Sequence, residues 1–254
     1  MTAPGVALGT RPEGRAYTAG LMELLASLMA VAAAYLIGSL SFAVIFSRLL
    51  GLADPRSYGS KNPGATNVLR SGNKTAAILT LVFDALKGYV PVVLVLLFGA
   101  PHGLGEGTAA FVGLAAFLGH VWPVFFRFEG GKGVATAAGV LMGLNPWLGV
   151  ATLATFGIIV VFFRYVSLAS IVAAVFAPFY QLLIWGGGVT FLALVPMCLI
   201  LVWRHQGNIK KLMSGTESKL GQKVPPAQAM PHAKDHHAHT HHASHSKTRH
   251  KGHH

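Results

Sequence analysis

The sequence predicts an all-α polytopic membrane protein of about seven transmembrane helices, and three observations carry that prediction. Hydrophobic residues make up 53% of the chain and charged residues only 11%, against about 25% charged in soluble domains. Apolar runs near the ~20 residues that span a bilayer recur from Leu21 to Trp203. The polar segments between them are alternately rich and poor in Lys and Arg, which assigns the rich ones to the cytoplasm. The amino end is then outside and the carboxyl end inside.

In order, residues 1–20 read as a disordered tail. Leu21 to Leu50 is one long apolar helix candidate, interrupted by Gly38, Ser39 and Ser41, small residues that let helices pack closely. Asp54 to Lys74 holds Arg56, Lys61, Arg70 and Lys74 and is therefore a cytoplasmic loop. Thr75 to Phe98 is the second span. It carries Asp84 and Lys87 on adjacent turns of one face, either as an internal ion pair or in a direct role. Ala100 to Gly107 lacks Lys and Arg and is external. Thr108 to Phe126 is the third span, and His120 near its end reads as a structural hydrogen-bonder ahead of a catalyst.

Val134 to Leu144 is only about half a span before Asn145 and Pro146. It is either a short, tilted crossing or a re-entrant helix whose N-terminus faces an anion; the basic residue Arg164, expected inside, favours the crossing. Trp147 to Phe163, Tyr165 to Trp185 and Val189 to Trp203 complete the count, and Arg204, His205, Asn208, Lys210 and Lys211 form a basic exit helix. The membrane domain is thus residues 21–219. Residues 220–254 form a second tail, with ten of the thirteen histidines after Pro231. Such a composition cannot bury a core and predicts disorder, with weak adventitious metal affinity at most.

The formal charge of +12 lies partly in these flanks and otherwise borders the spans. An anionic leaflet is the expected partner rather than nucleic acid. The single cysteine, Cys198, lies in an apolar run and excludes a disulfide framework.

Two loops concentrate chemistry: GSKNPGATNVLR from Gly59 to Arg70 and EGGKGVAT from Glu129 to Thr136. Gly59, Gly64, Gly130, Gly131 and Gly133 let backbone N–H groups approach a ligand, and Lys61, Arg70 and Lys132 add positive charge. That is the inventory of a phosphate site. Phe126 and Gly133 stand where a P-loop needs glycine and a hydroxyl residue, which argues against a nucleotide triphosphatase. Both loops fall on the same side of the membrane.

Four segments together, GSLSF at Gly38, DPRSYGSKNPGATNVLR at Asp54, GHVWPVFFRFEGGKGVAT at Gly119 and RHQGNIKKLMSGTES at Arg204, resemble the bacterial membrane glycerol-3-phosphate acyltransferase family that uses acyl phosphate, usually called PlsY. The resemblance runs from about Leu21 to Lys219. It implies a seven-helix, multi-pass enzyme of the inner membrane, expected to be a monomer, with its site facing the cytoplasm. The implied reaction moves an acyl chain from acyl phosphate to the 1-hydroxyl of sn-glycerol 3-phosphate, with no cofactor and no metal. Carried over residue by residue, the catalytic positions fall on Ser60, Arg70, Lys132, Ser170, His205 and Asn208. Asn62, Thr66, Asn67, Gly130, Gly131 and Gly133 are expected to bind substrate.

No Ser-His-Asp triad and no histidine and acid pair of the HxxxxD kind is visible. An acyl phosphate is already an activated anhydride, so orientation and charge stabilisation can suffice. The proton of the acceptor hydroxyl goes either to His205 or to a substrate phosphate oxygen; the resemblance favours the phosphate. Two departures from the family are Glu129, where lysine is common, and Lys211, where arginine is. Glu129 is expected to face solvent or pair with Arg127. The rival function is a transporter for an anionic solute, suggested by Asp84 and Lys87. Against it, the polar motifs gather at one face and no internal repeat is visible.

Overall fold

The computed structural model describes residues 12–222. Every regular element among them is helical: α1 Pro12–Gly38, α2 Phe42–Leu49, α3 Ala65–Leu69, α4 Lys74–Phe98, α5 Glu106–Val121, α6 Val134–Leu144, α7 Pro146–Phe163, α8 Val166–Tyr180, α9 Val189–Arg204 and α10 Gln206–Met213. Among the described residues, five helices are long and apolar enough to cross a membrane, and six if α9 and α10, bent by 54° at His205, count as one span. Val134–Leu144 is a shorter apolar helix.

The first apolar run is not one helix. Ser39 and Leu40 end α1, the Ser39 hydroxyl turning back onto the Tyr35 carbonyl at 2.8 Å, and the chain restarts at Phe42 as α2. A buried serine bonding its own preceding turn competes with the helix ladder. Residues 12–20, read as part of the amino-terminal tail, are the first turns of α1. Residues 1–11 and the histidine tail from 223 lie outside the described residues.

Helix ends follow local chemistry. Asn73 caps α4 by accepting from the Ala76 amide at 2.9 Å, and Asn145 caps α7 by accepting from Trp147 and Leu148, with Pro146 at the first position. Helix α8 runs from Pro178 into a π-turn at Gln181–Trp185.

Helix α5 is the core of the bundle and is largely buried, whereas α1, whose outer face is Leu, Met and Ile, is largely exposed. Close approach rests on small residues. A Cβ on Gly38 would strike the Ala116 carbonyl, one on Gly119 the Tyr35 carbonyl, and one on Gly139 the Ala85 carbonyl. These glycines bring α1 against α5 and α6 against α4, as in membrane helix pairs that lack a hydrophobic driving force. The first two contacts set the α1 break level with the end of α5.

Candidate active site

The chain leaves α5 at Trp122, turns through Arg127 and Phe128, both left-handed, and comes back to press Gly130–Gly133 against the end of the helix it has just left. The Gly131 amide donates to the His120 carbonyl at 3.1 Å. A Cβ on Gly130 would meet the His120 and Val121 carbonyls, and one on Gly133 the Phe117 ring; Gly133 has φ +85°. Only glycine fits here. From α9, Arg204 donates to the carbonyls of Gly130 at 2.8 Å and Gly131 at 3.2 Å. With both carbonyls held by a guanidinium, the Gly130, Lys132 and Gly133 amides, which have no hydrogen-bond acceptor among the described residues, stand at the N-terminus of α6.

Lys132 donates to Asn208 Oδ1, and Asn208 Nδ2 donates to Glu217 Oε1 at 2.6 Å. Ser167 Oγ donates to the same Glu217 oxygen at 2.6 Å. An ammonium can only donate and a carboxylate only accept, so the Asn208 amide is locked in one orientation. Burial pushes Lys132 down to about 8, opposed by Glu217 and reinforced by the nearby positive charges of Arg204, Arg70 and Lys211. The cations of both loops and of the exit helix therefore share one field.

His205 sits buried at the break between α9 and α10, its Nδ1 at 2.8 Å from the Leu201 carbonyl. Because a carbonyl only accepts, Nδ1 carries the proton and Nε2 keeps its lone pair. Burial and the Lys132 ammonium push His205 down to about 4, so it is neutral at physiological pH.

The first loop is organised by Asn67, which is buried. Its Oδ1 accepts from the Ser60 amide at 3.0 Å, and its Nδ2 donates to the Pro55 and Tyr58 carbonyls at 2.7 and 3.1 Å. Asn67, expected to bind substrate, has its amide engaged on the loop's own backbone, which it shapes. The Gly131 amide, likewise expected on phosphate, is occupied by His120. Ser60, Thr66 and Arg70 are exposed and Asn62 half-buried; no hydrogen bond among the described residues joins their side chains to the Lys132 cluster. Ser170 is buried and bonds the Val166 carbonyl at 2.8 Å.

Ser170 also lines a partly open, almost wholly apolar cavity of ≈ 60 Å³ between α6, α7, α8 and α9. Its walls run from Val134 to Leu141, from Ser170 to Ala177 and from Leu201 to Leu194, about 10 Å along each helix. Along the chain, the wall residues Val134, Ser170 and Leu201 stand one, three and four residues from Gly133, Ser167 and His205.

Sequence reasoning missed Glu217 and the clamp by Arg204. The available signal was a lone acidic residue in a basic exit segment, where it needs cationic or donor partners. Glu129, expected to face solvent or pair with Arg127, faces solvent with its side chain 66% exposed and meets Arg56 of the first loop at 3.4 Å rather than Arg127; Arg56 forms a bidentate pair with Asp54.

A sequence model of the family described as "Glycerol-3-phosphate acyltransferase" matches residues 28–215. The chain is 61% identical over 197 residues to the glycerol-3-phosphate acyltransferase of Paraburkholderia phytofirmans, covering 78% of this chain and 92% of that one. It is 59% identical over 210 residues to that of Albidiferax ferrireducens, covering 80% and 93%. Its fold is similar to the crystal structure of PlsY (YgiH), an integral membrane glycerol 3-phosphate acyltransferase, in the glycerol 3-phosphate form, with TM-score 0.72 and 36% identity over 77% of this chain and 96% of that one. The lysophosphatidic acid form of that enzyme gives TM-score 0.70 and 35% identity over the same shares. An all-helical integral membrane protein with a glycine-rich cationic turn beside an apolar cavity, this chain belongs to the glycerol-3-phosphate acyltransferase family.

Proposed function

We propose that the chain transfers an acyl group from acyl phosphate to the 1-hydroxyl of sn-glycerol 3-phosphate, giving lysophosphatidic acid and inorganic phosphate, the first acylation of phospholipid synthesis. The observation that carries the proposal is the meeting of two unlike environments. The apolar cavity begins at Val134, Ser170 and Leu201, and the chain places Lys132 two residues before Val134 and His205 four after Leu201. A molecule with an acyl chain and a phosphate fits such a junction, chain in the cavity and phosphate at the cationic turn.

In this reading the Lys132 ammonium and the Gly130, Lys132 and Gly133 amides hold a phosphate, with Arg70, Ser60, Asn62 and Thr66 facing the second phosphorylated substrate from the first loop. Asn208, oriented by Glu217, and Ser170 position the reacting groups. The glycerol hydroxyl oxygen attacks the acyl carbonyl carbon, the carbonyl-to-phosphate C–O bond breaks, and the phosphate leaves with the bonding pair. With His205 neutral and pushed down to about 4, it is a weak base. The hydroxyl's one proton passes to a phosphate oxygen, and the His205 Nε2 lone pair accepts instead from the neighbouring 2-hydroxyl of the acceptor, which holds the glycerol in place. No metal and no cofactor is required, because the leaving group is already activated.

The proposed topology has seven crossings: α1, α4, α5, the short α6, α7, α8 and α9. The amino end is outside, and the site is at the cytoplasmic face of the inner membrane of a monomer. The test is acyl transfer by purified protein to sn-glycerol 3-phosphate, comparing acyl phosphate, acyl-coenzyme A and acyl carrier protein without added metal. Product from acyl phosphate alone supports the reading; product from a thioester overturns the donor.

A further inference from the structure

Beneath the Gly130–Gly133 turn lies a cluster of ionisable groups that the reaction above does not use. Asp84 and Lys87 of α4 and His120 of α5 are 2%, 4% and 7% exposed. Asp84 Oδ1 lies 2.8 Å from Lys87 Nζ and 3.6 Å from His120 Nδ1. Lys87 Nζ also donates to the Leu40 carbonyl at 2.7 Å, in the break between α1 and α2, and lies 5.6 Å from the Phe42 ring. At the other end of the cluster, His120 Nε2 is the nearest atom to the space a side chain on Gly131 would occupy, and the next chain segment there is the Pro63 carbonyl of the first loop, at 3.0 Å.

We propose that Asp84, Lys87 and His120 form a positioning unit that links the α1–α2 break, which carries the first loop, to the floor of the Gly130–Gly133 turn, fixing the separation of the two phosphate-binding loops. Two things distinguish this from a buried ion pair that only holds helices together. The pair is intrahelical, so its attraction joins no two helices; the joining is done by the Lys87 bond to Leu40 and by the imidazole under Gly131. Both joints end on the chain segments that lead into the two loops. A buried charge pair is in addition a poor source of stability, since apolar replacements of similar volume are often neutral or stabilising. Its placement between two loops that must act together gives it a geometric purpose.

The inference rests on the phosphate-site reading above, and the test separates the two. The double variant Asp84→Leu with Lys87→Met removes both charges at once and leaves no uncompensated ion, so it is expected to fold with a Tm no lower than the parent. Its KM for at least one phosphorylated substrate should rise about tenfold with kcat little changed, the scale expected when a loop is displaced by a fraction of an ångström. His120→Asn, which keeps an amide near Nδ1 but withdraws the group beneath Gly131, should raise the same KM. His120→Gln, whose amide reaches the place of Nε2, should restore it toward the parent. Parental KM values in the double variant and in His120→Asn, with any loss of rate tracking loss of folded protein, would overturn the positioning role. Lys132→Ala measured alongside reports on the underlying reading. If it keeps parental kinetics, the phosphate site itself is wrong; if it is inactive while the double variant is parental, only the positioning role fails.

Discussion

The loop from Gly59 to Arg70 is braced by its own chain, whereas the turn from Glu129 to Gly133 is braced by α5, α9 and the first loop. In the former, Asn67 gathers the Ser60 amide and the Pro55 and Tyr58 carbonyls within a stretch of thirteen residues, 55–67. In the latter, His120, Phe117, Arg204 and Pro63 all come from elsewhere in the sequence. The two loops use the same residue types, glycine and cation, yet one is largely exposed around buried Asn67 and self-shaped, and the other, beyond exposed Glu129, is mostly buried and shaped from outside. A self-shaped loop can give way locally around a substitution, while a turn pressed between backbone carbonyls and rings has nowhere to move.

The sharpest way to break that comparison is to remove the half-buried cation Lys132. Lys132→Ala should lower kcat/KM by about 10²-fold or more, the cost of deleting one preorganised donor in a transfer site. It should leave Tm unchanged or raised, because burial already penalises the ammonium. Lys61→Ala, in the exposed loop, should lose far less. Equal losses from the two, measured by steady-state kinetics, would mean that burial of the turn has no bearing on its role.

The glycines sharpen it next. Gly131→Ala places a methyl on the His120 imidazole and against the Pro63 carbonyl, and the displaced turn should cost about 10²-fold in kcat/KM. Gly64→Ala meets only the Asn62 Nδ2 end, at 3.1 Å, from a backbone with φ −155° that any residue adopts. It should stay close to parental activity.

A pH titration probes the same asymmetry with a smaller effect. Lys132, pushed down to about 8 in the free protein, must be an ammonium to hold phosphate. The kcat/KM should therefore fall above about pH 8, approaching tenfold per pH unit. The sign for folding is opposite: a lysine whose pKa is lowered on folding binds more protons when unfolded. Its contribution to stability rises with pH from about 8 to the ordinary lysine value of about 10.5. Substrate affinity and Tm moving in opposite directions across that window is the expected signature, and a Lys132→Arg variant should lose the Tm component.

Much of this was legible in the chain because it is written in local chemistry. The apolar runs, the half-length α6 that stops before Asn145 and Pro146, and the two glycine loops all depend on neighbours within a few residues. What escaped depends on partners far along the chain. Nothing near Glu217 says that it receives Ser167 and Asn208, and nothing near Arg204 says that its fork meets the carbonyls of Gly130 and Gly131. The backbone role of Asn67 escaped for the converse reason: nothing in a polar loop shows that an amide is engaged by the carbonyls of Pro55 and Tyr58. The break at Ser39 was visible as small residues, but continuing apolar periodicity concealed that the helix stops there.

The smallest effect is expected where the two loops touch at the surface. Arg56 lies 3.4 Å from Glu129, whose side chain is 66% exposed, while the same guanidinium already pairs with Asp54 at 2.7 Å. A third charge joining a satisfied pair in high dielectric adds little, and exposed pairs of this kind contribute about 0–1 kcal/mol. Glu129 also places a negative charge in the turn that holds the proposed phosphate, so removing it slightly favours anion binding. Glu129→Gln should thus leave Tm essentially unchanged and lower the KM for a phosphorylated substrate by no more than about twofold at low salt, an advantage that ordinary ionic strength screens away. A larger drop in Tm would show that the two loops are tied through this contact, and the division between a self-braced loop and an externally braced turn would then have to be given up.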